Sequence, residues 1–453
     1  MGLDKCIFLS AGRYIAHSVF LSNLRKSTPN SNFGELRHAL SAAHFHRGSI
    51  GSRCFGRPFA TEDLHHDRKG SVVDRQSTAT SFLVIPYASP PVGKLRWSAP
   101  QPVSPWVEPR DASRIGNVCP QVVLALFAVP GLNPGDVQGE EDCMYLNVYT
   151  PAKARPDSRL PVVVWIHGGA FTVGSGSAHD GSVLAANYGL VVVTMNYRLG
   201  ALGFLALAGL DTEGKGDRSG NYGLLDQQAA LQWVKNNIGA FGGNDQNVTI
   251  AGESAGGMSV CAQLAFLRAA GFFQRAIIQS GLCESPGNAV TVGEAERRNV
   301  EYVQKLGCSA TDIDCLRHVE PAKLMSTKVP GRRPVSNLVW SPVYESAVLP
   351  LKLQTAFSQG KFNRVPVLNE TNHDEGRLFV SVASPNGKPV IAVQYWGGTG
   401  LLVGAANTRK VLLQYPFRTY GKPALASATM FTDGAFSCPA ERIDSALSKY
   451  VPV

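Results

Sequence analysis

The sequence predicts an α/β fold, in which a mostly parallel central sheet is flanked by helices and carries a helical cap insertion. Two β-branched runs, residues 160–166 and 190–196, are almost continuously apolar, which is typical of strands covered on both faces. Beyond residue 80, short apolar runs ended by Gly or Pro alternate with segments of helical period. This alternation is typical of βαβ units and a mostly parallel sheet.

The next elements continue the alternation. Residues 224–238 predict an amphipathic helix, because apolar side chains recur there every four residues, and Gly239 ends it. Residues 247–251 predict a strand, and a helix follows from Ala255.

Two further strands are predicted at residues 275–279 and 365–368. The insertion between them is about 85 residues long and contains its own helical stretch at 295–306. It is long enough to form a cap over a site.

Composition indicates an ordinary packed protein, with 44% apolar and 17% charged residues. Residues 1–80 hold eleven Lys/Arg and six Asp/Glu, so they contribute +5 of the net charge of +9. No basic stripe interleaved with aromatics indicates nucleic-acid binding, and no apolar run is long enough to span a bilayer. We expect residues 1–79 to be a disordered extension, a transit peptide or the product of a mis-assigned gene start, and residues 80–453 to form the folded domain.

The sharpest local motif is Gly-x-Ser-x-Gly at residues 252–256, placed between a predicted strand and a predicted helix. In that context it forms a nucleophile elbow, with Ser254 as the nucleophile at the N-terminus of the helix. The alternative is a purely structural Gly-rich turn.

A second Gly-rich segment, His-Gly-Gly-Ala-Phe at residues 167–171, follows the first buried strand. Its glycines let backbone N–H groups approach a substrate oxygen, so Gly169, Ala170 and Ala255 are the predicted oxyanion-hole residues. A plain β-turn is the alternative. His167 is interpreted as a structural hydrogen bonder rather than a base.

Several motifs, in order, resemble the type-B carboxylesterase family of α/β-hydrolases. The matching blocks are residues 85–88 with 90–97, 141–151, 196–200, 251–257 and 279–281. The resemblance covers roughly residues 80–450 and implies an α/β-hydrolase fold, a carboxylic ester hydrolase that uses an acyl-enzyme intermediate, and no cofactor.

The same resemblance implies which residue is the triad acid, but it finds no matching triad histidine. Residues 372–377 resemble the acid loop, which assigns the acid to Glu375, with Asp374 as the local competitor. The fold orders its triad as Ser, acid, His. None of the ten histidines follows Glu375, and His373 shares the loop of the acid. We therefore expect a domain that is incomplete at its C-terminal end, and the alternative is a non-catalytic binding member of the family.

Nine cysteines lack the Cys-x-x-Cys spacing of a zinc site, so no structural metal is predicted. By spacing alone, disulfides and buried free thiols are equally plausible. The resemblance implies the pairs Cys119 with Cys143 and Cys308 with Cys315, and Cys438 resembles a position that bonds a later cysteine. Family members are often secreted, but the N-terminus has no convincing signal peptide, so the compartment stays open.

The predicted partner is a small-molecule carboxylic ester, and the sequence does not indicate an oligomeric state. A cholinesterase-like site holds quaternary ammonium on a tryptophan between the first two disulfide cysteines. Residues 120–142 contain no tryptophan, which disfavours choline esters.

Overall fold

In the computed structural model, the described residues are 71–72, 79–125, 129–213, 219–283, 290–329, 340–384 and 389–453. Most of the predicted extension 1–79 lies outside them. The strands are β1 (Ser71–Val72), β2 (Ala79–Pro86), β3 (Gln121–Val122), β4 (Val137–Gln138), β5 (Tyr145–Pro151), β6 (Leu160–Ile166), β7 (Val191–Met195), β8 (Gly243–Glu253), β9 (Arg275–Gln279), β10 (Val290–Thr291), β11 (Val343–Tyr344) and β12 (Val367–Glu370).

The described helices lie between these strands and after the last one. They are α1 (Ser182–Tyr188), α2 (Gly200–Phe204), α3 (Ala208–Glu213), α4 (Tyr222–Asn237), α5 (Ala255–Ala265), α6 (Val292–Lys305), α7 (Ile313–Arg317), α8 (Pro321–Ser326), α9 (Leu353–Ser358), α10 (Gly376–Ala383), α11 (Ala392–Val403), α12 (Ala405–Gln414), α13 (Pro423–Phe431) and α14 (Cys438–Leu447). Short 3-10 turns occur at Gly93–Leu95, Pro156–Ser158, Gly176–Ala178, Ile238–Phe241 and Leu267–Ala269, and a π-helical turn joins α13 to α14.

Eight of the described strands form the central sheet, in the order β1-β2-β5-β7-β6-β8-β9-β12. The β1, β2 and β5 edge is antiparallel, whereas β7, β6, β8, β9 and β12 run parallel. The predicted α/β class with a mostly parallel sheet is confirmed. Strands β6 and β7 lie in the middle of this sheet, as their apolar runs predict, and the main apolar core includes both.

The register of the parallel strands determines which loops meet. Trp165 pairs with Ala251 and Ile166 pairs with Gly252, so β6 and β8 end side by side. The segment after β6 and the turn after β8 therefore emerge at the same carboxyl edge, where ligands bind in open α/β sheets.

Two strand ends differ from the sequence prediction. The strand expected at residues 365–368 is β12, shifted to Val367–Glu370, and the strand expected at 247–251 is longer, because β8 begins at Gly243. Gly243 pairs with Leu160 and Glu370 pairs with Gln279. Pairing with a distant strand, rather than local composition, decides where each strand ends.

The chain divides into two compact units. The larger contains the described residues up to Asn372 and residues 435–453, and the smaller contains the described residues of 373–434, with helices α10 to α13. No described helix has both the length and the apolar composition needed to cross a bilayer.

Among the described cysteines, three disulfides lie in the larger unit. Two of them, Cys119–Cys143 and Cys308–Cys315, join the pairs that the family resemblance implies. The third, Cys261–Cys283, was not predicted.

Candidate active site

The turn between β8 and α5 has the geometry of a nucleophile elbow. Ser254 lies between the two elements with φ 55° and ψ −119°, in a region that L-residues rarely adopt. Such a backbone conformation costs about 1–3 kcal/mol and persists only where the surroundings hold it. The Ser254 N–H donates to the Gln279 carbonyl at 2.9 Å, and the Ser254 carbonyl accepts from the Met258 N–H at 2.9 Å.

The two glycines of the motif are required because there is no room for a side chain at either position. A Cβ atom on Gly256 would lie 2.0 Å from the Ile166 carbonyl oxygen, and a Cβ atom on Gly252 would lie 2.5 Å from the Gly256 carbonyl carbon. The turn can therefore close only without side chains at these two positions. The Ser254 side chain is partly exposed and makes no capping hydrogen bond to α5.

The Gly-rich segment after β6 turns sharply over three residues. Gly169, Ala170 and Phe171 all have positive φ, at 101°, 56° and 59°. The turn is held by hydrogen bonds from two N–H groups to the Gly169 carbonyl, each 3.0 Å long, and by the fully buried Phe171 ring against Phe204. Within the described chain, the N–H groups of Gly169 and Ala170 have no protein acceptor.

This turn touches the elbow. A Cβ atom on Gly168 would lie 2.8 Å from the Glu253 carbonyl oxygen and 3.3 Å from the Ser254 Cβ. The structure therefore brings together the predicted nucleophile Ser254 and the segment that carries Gly169 and Ala170. Ala255 is the first residue of α5, next to Ser254.

His167 lies inside the protein rather than in the site. It is 1% exposed, its ring stacks on Tyr197 at 4.4 Å, and its Nδ1 is 2.8 Å from the Gly168 carbonyl oxygen. Burial lowers the pKa of the His167 imidazole to about 3, so the ring is neutral at neutral pH. These contacts fit the structural role expected for His167.

The predicted acid belongs to the smaller unit. Glu375 directly precedes α10, and the following Gly376 donates its N–H to the Thr432 hydroxyl at 2.9 Å. The competing Asp374 is half-exposed and is paired with Arg377 at 3.0 Å. The Asp374 carboxylate is thus engaged in an ion pair at the surface.

One feature of the sheet edge was missed from the sequence. Ser280 follows β9 with φ 50°, and its N–H donates to the Glu370 carbonyl at 2.8 Å. Its hydroxyl accepts from the Asn372 side chain at 3.3 Å, which ties the start of the acid loop to the strand beside the elbow. The sequence indicated this contact only indirectly, because Ser280 and Asn372 each follow a predicted strand of a parallel sheet.

No group of three His, Cys, Asp or Glu side chains that could hold a metal ion occurs in the described part of the chain. The site offers a hydroxyl and unpaired backbone amides. The described geometry thus places the Ser254 hydroxyl beside a turn whose Gly169 and Ala170 amides have no protein acceptor in the described chain.

A mostly parallel sheet with a strand–serine–helix elbow at its carboxyl edge defines the α/β-hydrolase class. The model of the carboxylesterase family matches residues 68–396. This protein belongs to the carboxylesterase family.

Individual relatives support this assignment. The chain is 38% identical to the para-nitrobenzyl esterase of Bacillus subtilis (strain 168) over 382 residues, which cover 82% of this chain and 72% of that enzyme. It is 40% identical to the acetylcholinesterase of Danio rerio over 325 residues, which cover 69% of this chain and half of the relative. A solved structure of a PNB esterase superimposes with a TM-score of 0.70 at 37% identity, over 85% of this chain and 77% of the other.

Proposed function

We propose that this protein hydrolyses small carboxylic esters with Ser254 as the nucleophile. The observation that carries the proposal is the juxtaposition at the sheet edge: a serine at positive φ lies against a turn whose Gly169 and Ala170 amides have no acceptor in the described chain. An amide without a partner is costly unless a ligand or water supplies one. An oxyanion is a suitable acceptor.

The reaction follows from these groups. The Ser254 Oγ attacks the ester carbonyl carbon, and the amides of Gly169, Ala170 and Ala255 stabilise the developing negative charge on the carbonyl oxygen. Each donor contributes about 3 kcal/mol to lowering such a barrier. Loss of the alcohol leaves an acyl-enzyme on Ser254, and water then releases the carboxylic acid.

Proton transfer sets the rate. Glu375 would orient a base, as the acid does in the Ser, acid, His order of this fold. No histidine follows Glu375 in the 453 residues, and His167 is buried and neutral. Without a base, the oxyanion hole and substrate binding alone give about 10³- to 10⁴-fold acceleration over water. We therefore expect slow turnover from a protein that consists of these 453 residues alone.

The test uses a fluorophosphonate probe and p-nitrophenyl butyrate. Wild-type protein should be labelled at Ser254 and should hydrolyse the ester above background, and Ser254→Ala should lose both. Ser280→Ala is the matched control, because Ser280 also has positive φ at the end of a neighbouring parallel strand. Labelling that survives in Ser254→Ala would contradict the assignment of the nucleophile.

The role of the base has its own test. Free imidazole can replace a missing general base. Imidazole should raise the rate of ester hydrolysis by the wild type. With Ser254→Ala, the rate should equal that of imidazole without protein. With imidazole present, so that Glu375 has a base to orient, Glu375→Gln should lower the activity more than Asp374→Asn. Equal effects of the two substitutions would remove Glu375 from the mechanism.

The second candidate is a non-catalytic binding member of the family. The observation that favours it is the same lack of a histidine after Glu375. A folded sample with neither labelling nor turnover, even with imidazole present, would support this candidate.

The substrate that we propose is an ester of an uncharged alcohol. The segment 120–142 holds no tryptophan for a quaternary ammonium. A p-nitrophenyl ester should therefore be a better substrate than the choline ester of the same acid. Preference for the choline ester would overturn this choice.

A further inference from the structure

The unpredicted disulfide Cys261–Cys283 joins the two chain segments that flank the nucleophile elbow. Cys261 is in α5, seven residues after Ser254, and Cys283 follows the end of β9 by four residues. Both sulfurs are buried: Cys261 is 0% exposed and Cys283 is 7% exposed. The bond therefore joins the helix that follows the elbow to the chain that leaves the neighbouring strand.

These two segments hold the backbone of the elbow. The Ser254 N–H donates to the carbonyl of Gln279, the last residue of β9. A Cβ atom on Gly257 would lie 2.9 Å from the Gly281 Cα, so the first turn of α5 packs directly on the segment after β9. The Cys283 sulfur is 3.7 Å from the Gly257 carbonyl oxygen.

At the elbow, the contact between the two segments includes a pair of glycines, Gly257 and Gly281. Glycine provides no side chain to bury and has the largest backbone freedom to lose. The positive φ of Ser254 is nevertheless maintained. A strained conformation persists only when its surroundings over-determine it. The covalent bond supplies a restraint that the glycines do not.

We propose that Cys261 and Cys283 are positioning residues whose disulfide clamps α5 to the end of β9 and so holds Ser254 in its attacking conformation. The catalytic consequence rests on the function proposed above. The local restraint does not, so it can be tested separately.

Hydrogen exchange at the elbow tests the restraint. Cys261→Ala/Cys283→Ala is compared with Cys119→Ala/Cys143→Ala, because the two disulfides close loops of 22 and 24 residues and their loss costs similar chain entropy. The amides of residues 254–258 should exchange at least about tenfold faster in the first variant, and less than about twofold faster in the second. Equal acceleration in both variants, or none in either, would overturn the proposal.

If Cys261→Ala/Cys283→Ala does not fold, the restraint can be tested by reducing the disulfides of the wild-type protein stepwise with increasing reductant. Alkylation mapping gives the fraction of each disulfide that is reduced. Exchange at residues 254–258 should rise with alkylation of Cys261 and Cys283 and not with that of Cys119 and Cys143. Slow exchange after complete alkylation of Cys261 and Cys283 would refute the clamp.

Probe labelling separates the two proposals. If the wild type is labelled at Ser254, we expect labelling of Cys261→Ala/Cys283→Ala to be about tenfold slower at saturating probe, because the attacking geometry is lost rather than probe binding. Unchanged labelling would overturn the positioning role alone. If the wild type is not labelled, the proposed function and the positioning role fail, and the exchange experiment still decides the restraint.

Discussion

At the scale of single residues, the space around Ser254 is filled by backbone. The would-be Cβ atom of Gly256 meets the Ile166 carbonyl, and that of Gly257 lies 3.0 Å from the Gln279 carbonyl. Backbone atoms of two strands therefore occupy the positions where side chains would be. A main-chain obstacle cannot move aside as a flexible side chain can.

Gly256→Ala is expected to destabilise the protein by about 1–3 kcal/mol or more, which is the cost of overpacking a closed site. It should also abolish probe labelling. Gly239→Ala is the matched control, because no atom lies within 4 Å of a Cβ at that position. Thermal unfolding measures both variants, and equal melting temperatures would contradict the packing argument.

A second residue, Asp444 of α14, links stability to pH. Burial raises the pKa of its carboxyl from 3.8 to about 6; the Asn369 amide, which donates to it at 2.8 Å, opposes the shift, and nearby Glu441 adds to it. The folded protein therefore binds this proton more tightly than the unfolded chain. As the pH rises from about 4 to about 6, the free energy of unfolding should fall, and it should stay lower above that range.

Asp444→Asn removes this titration and keeps an oxygen that can accept from Asn369. The variant should melt a few degrees above the wild type at about pH 8, where the charge costs the wild type roughly 3 kcal/mol, and near the wild type at about pH 4. The measurement is the melting temperature across this range. A constant difference between the two proteins would show that the charge of Asp444 is not the cause.

At the scale of elements, the chain after β7 is joined to α4 by a buried ion pair. Arg198 contacts Asp226 through two side-chain bonds of 2.6 and 2.8 Å, and its backbone N–H donates to the same carboxylate at 3.0 Å. The two side chains are 3% and 0% exposed. The carboxylate thus connects the segment that follows β7 to α4.

Asp226→Asn should cost about 3–5 kcal/mol, because it leaves the Arg198 guanidinium buried without a counter-charge. Asp111→Asn breaks the exposed pair of Asp111 with Arg114 and should cost less than about 1 kcal/mol. Melting temperatures of the two variants provide the comparison. A small loss for Asp226→Asn would mean that water reaches Arg198.

The five parallel strands of the sheet and the helix after the Gly-x-Ser-x-Gly motif were predictable because their signals are local. Strands β6 and β9 have the predicted bounds, and α5 begins where the Gly-x-Ser-x-Gly motif places it. The contact of Ser280 with Asn372 was not predictable, because 92 residues separate the two side chains. No sequence pattern at either position predicts which residue it contacts.

At the scale of the whole molecule, the disulfides restrain the unfolded chain to different degrees. Cys119–Cys143 closes a loop of 24 residues and Cys308–Cys315 closes one of only 7. A longer closed loop removes more entropy from the unfolded state.

Cys119→Ala/Cys143→Ala should therefore lose about 1 kcal/mol more stability than Cys308→Ala/Cys315→Ala, by the dependence of loop entropy on length. Differential scanning calorimetry of both variants and the wild type measures this difference. The reverse order would mean that local packing, rather than chain entropy, governs the contribution of these bonds.

The sequence by itself determined the five parallel strands of the central sheet, the elbow at Ser254 and the carboxylesterase family. These depend on β-branched runs, tight turns that only glycine permits, and motifs read over a few neighbouring residues. Only the tertiary structure decided the position of β7 between β5 and β6, the partner of Cys261 and the pairing of Arg198 with Asp226. Each of these joins residues distant in the chain, and such pairing follows from packing rather than from local propensity.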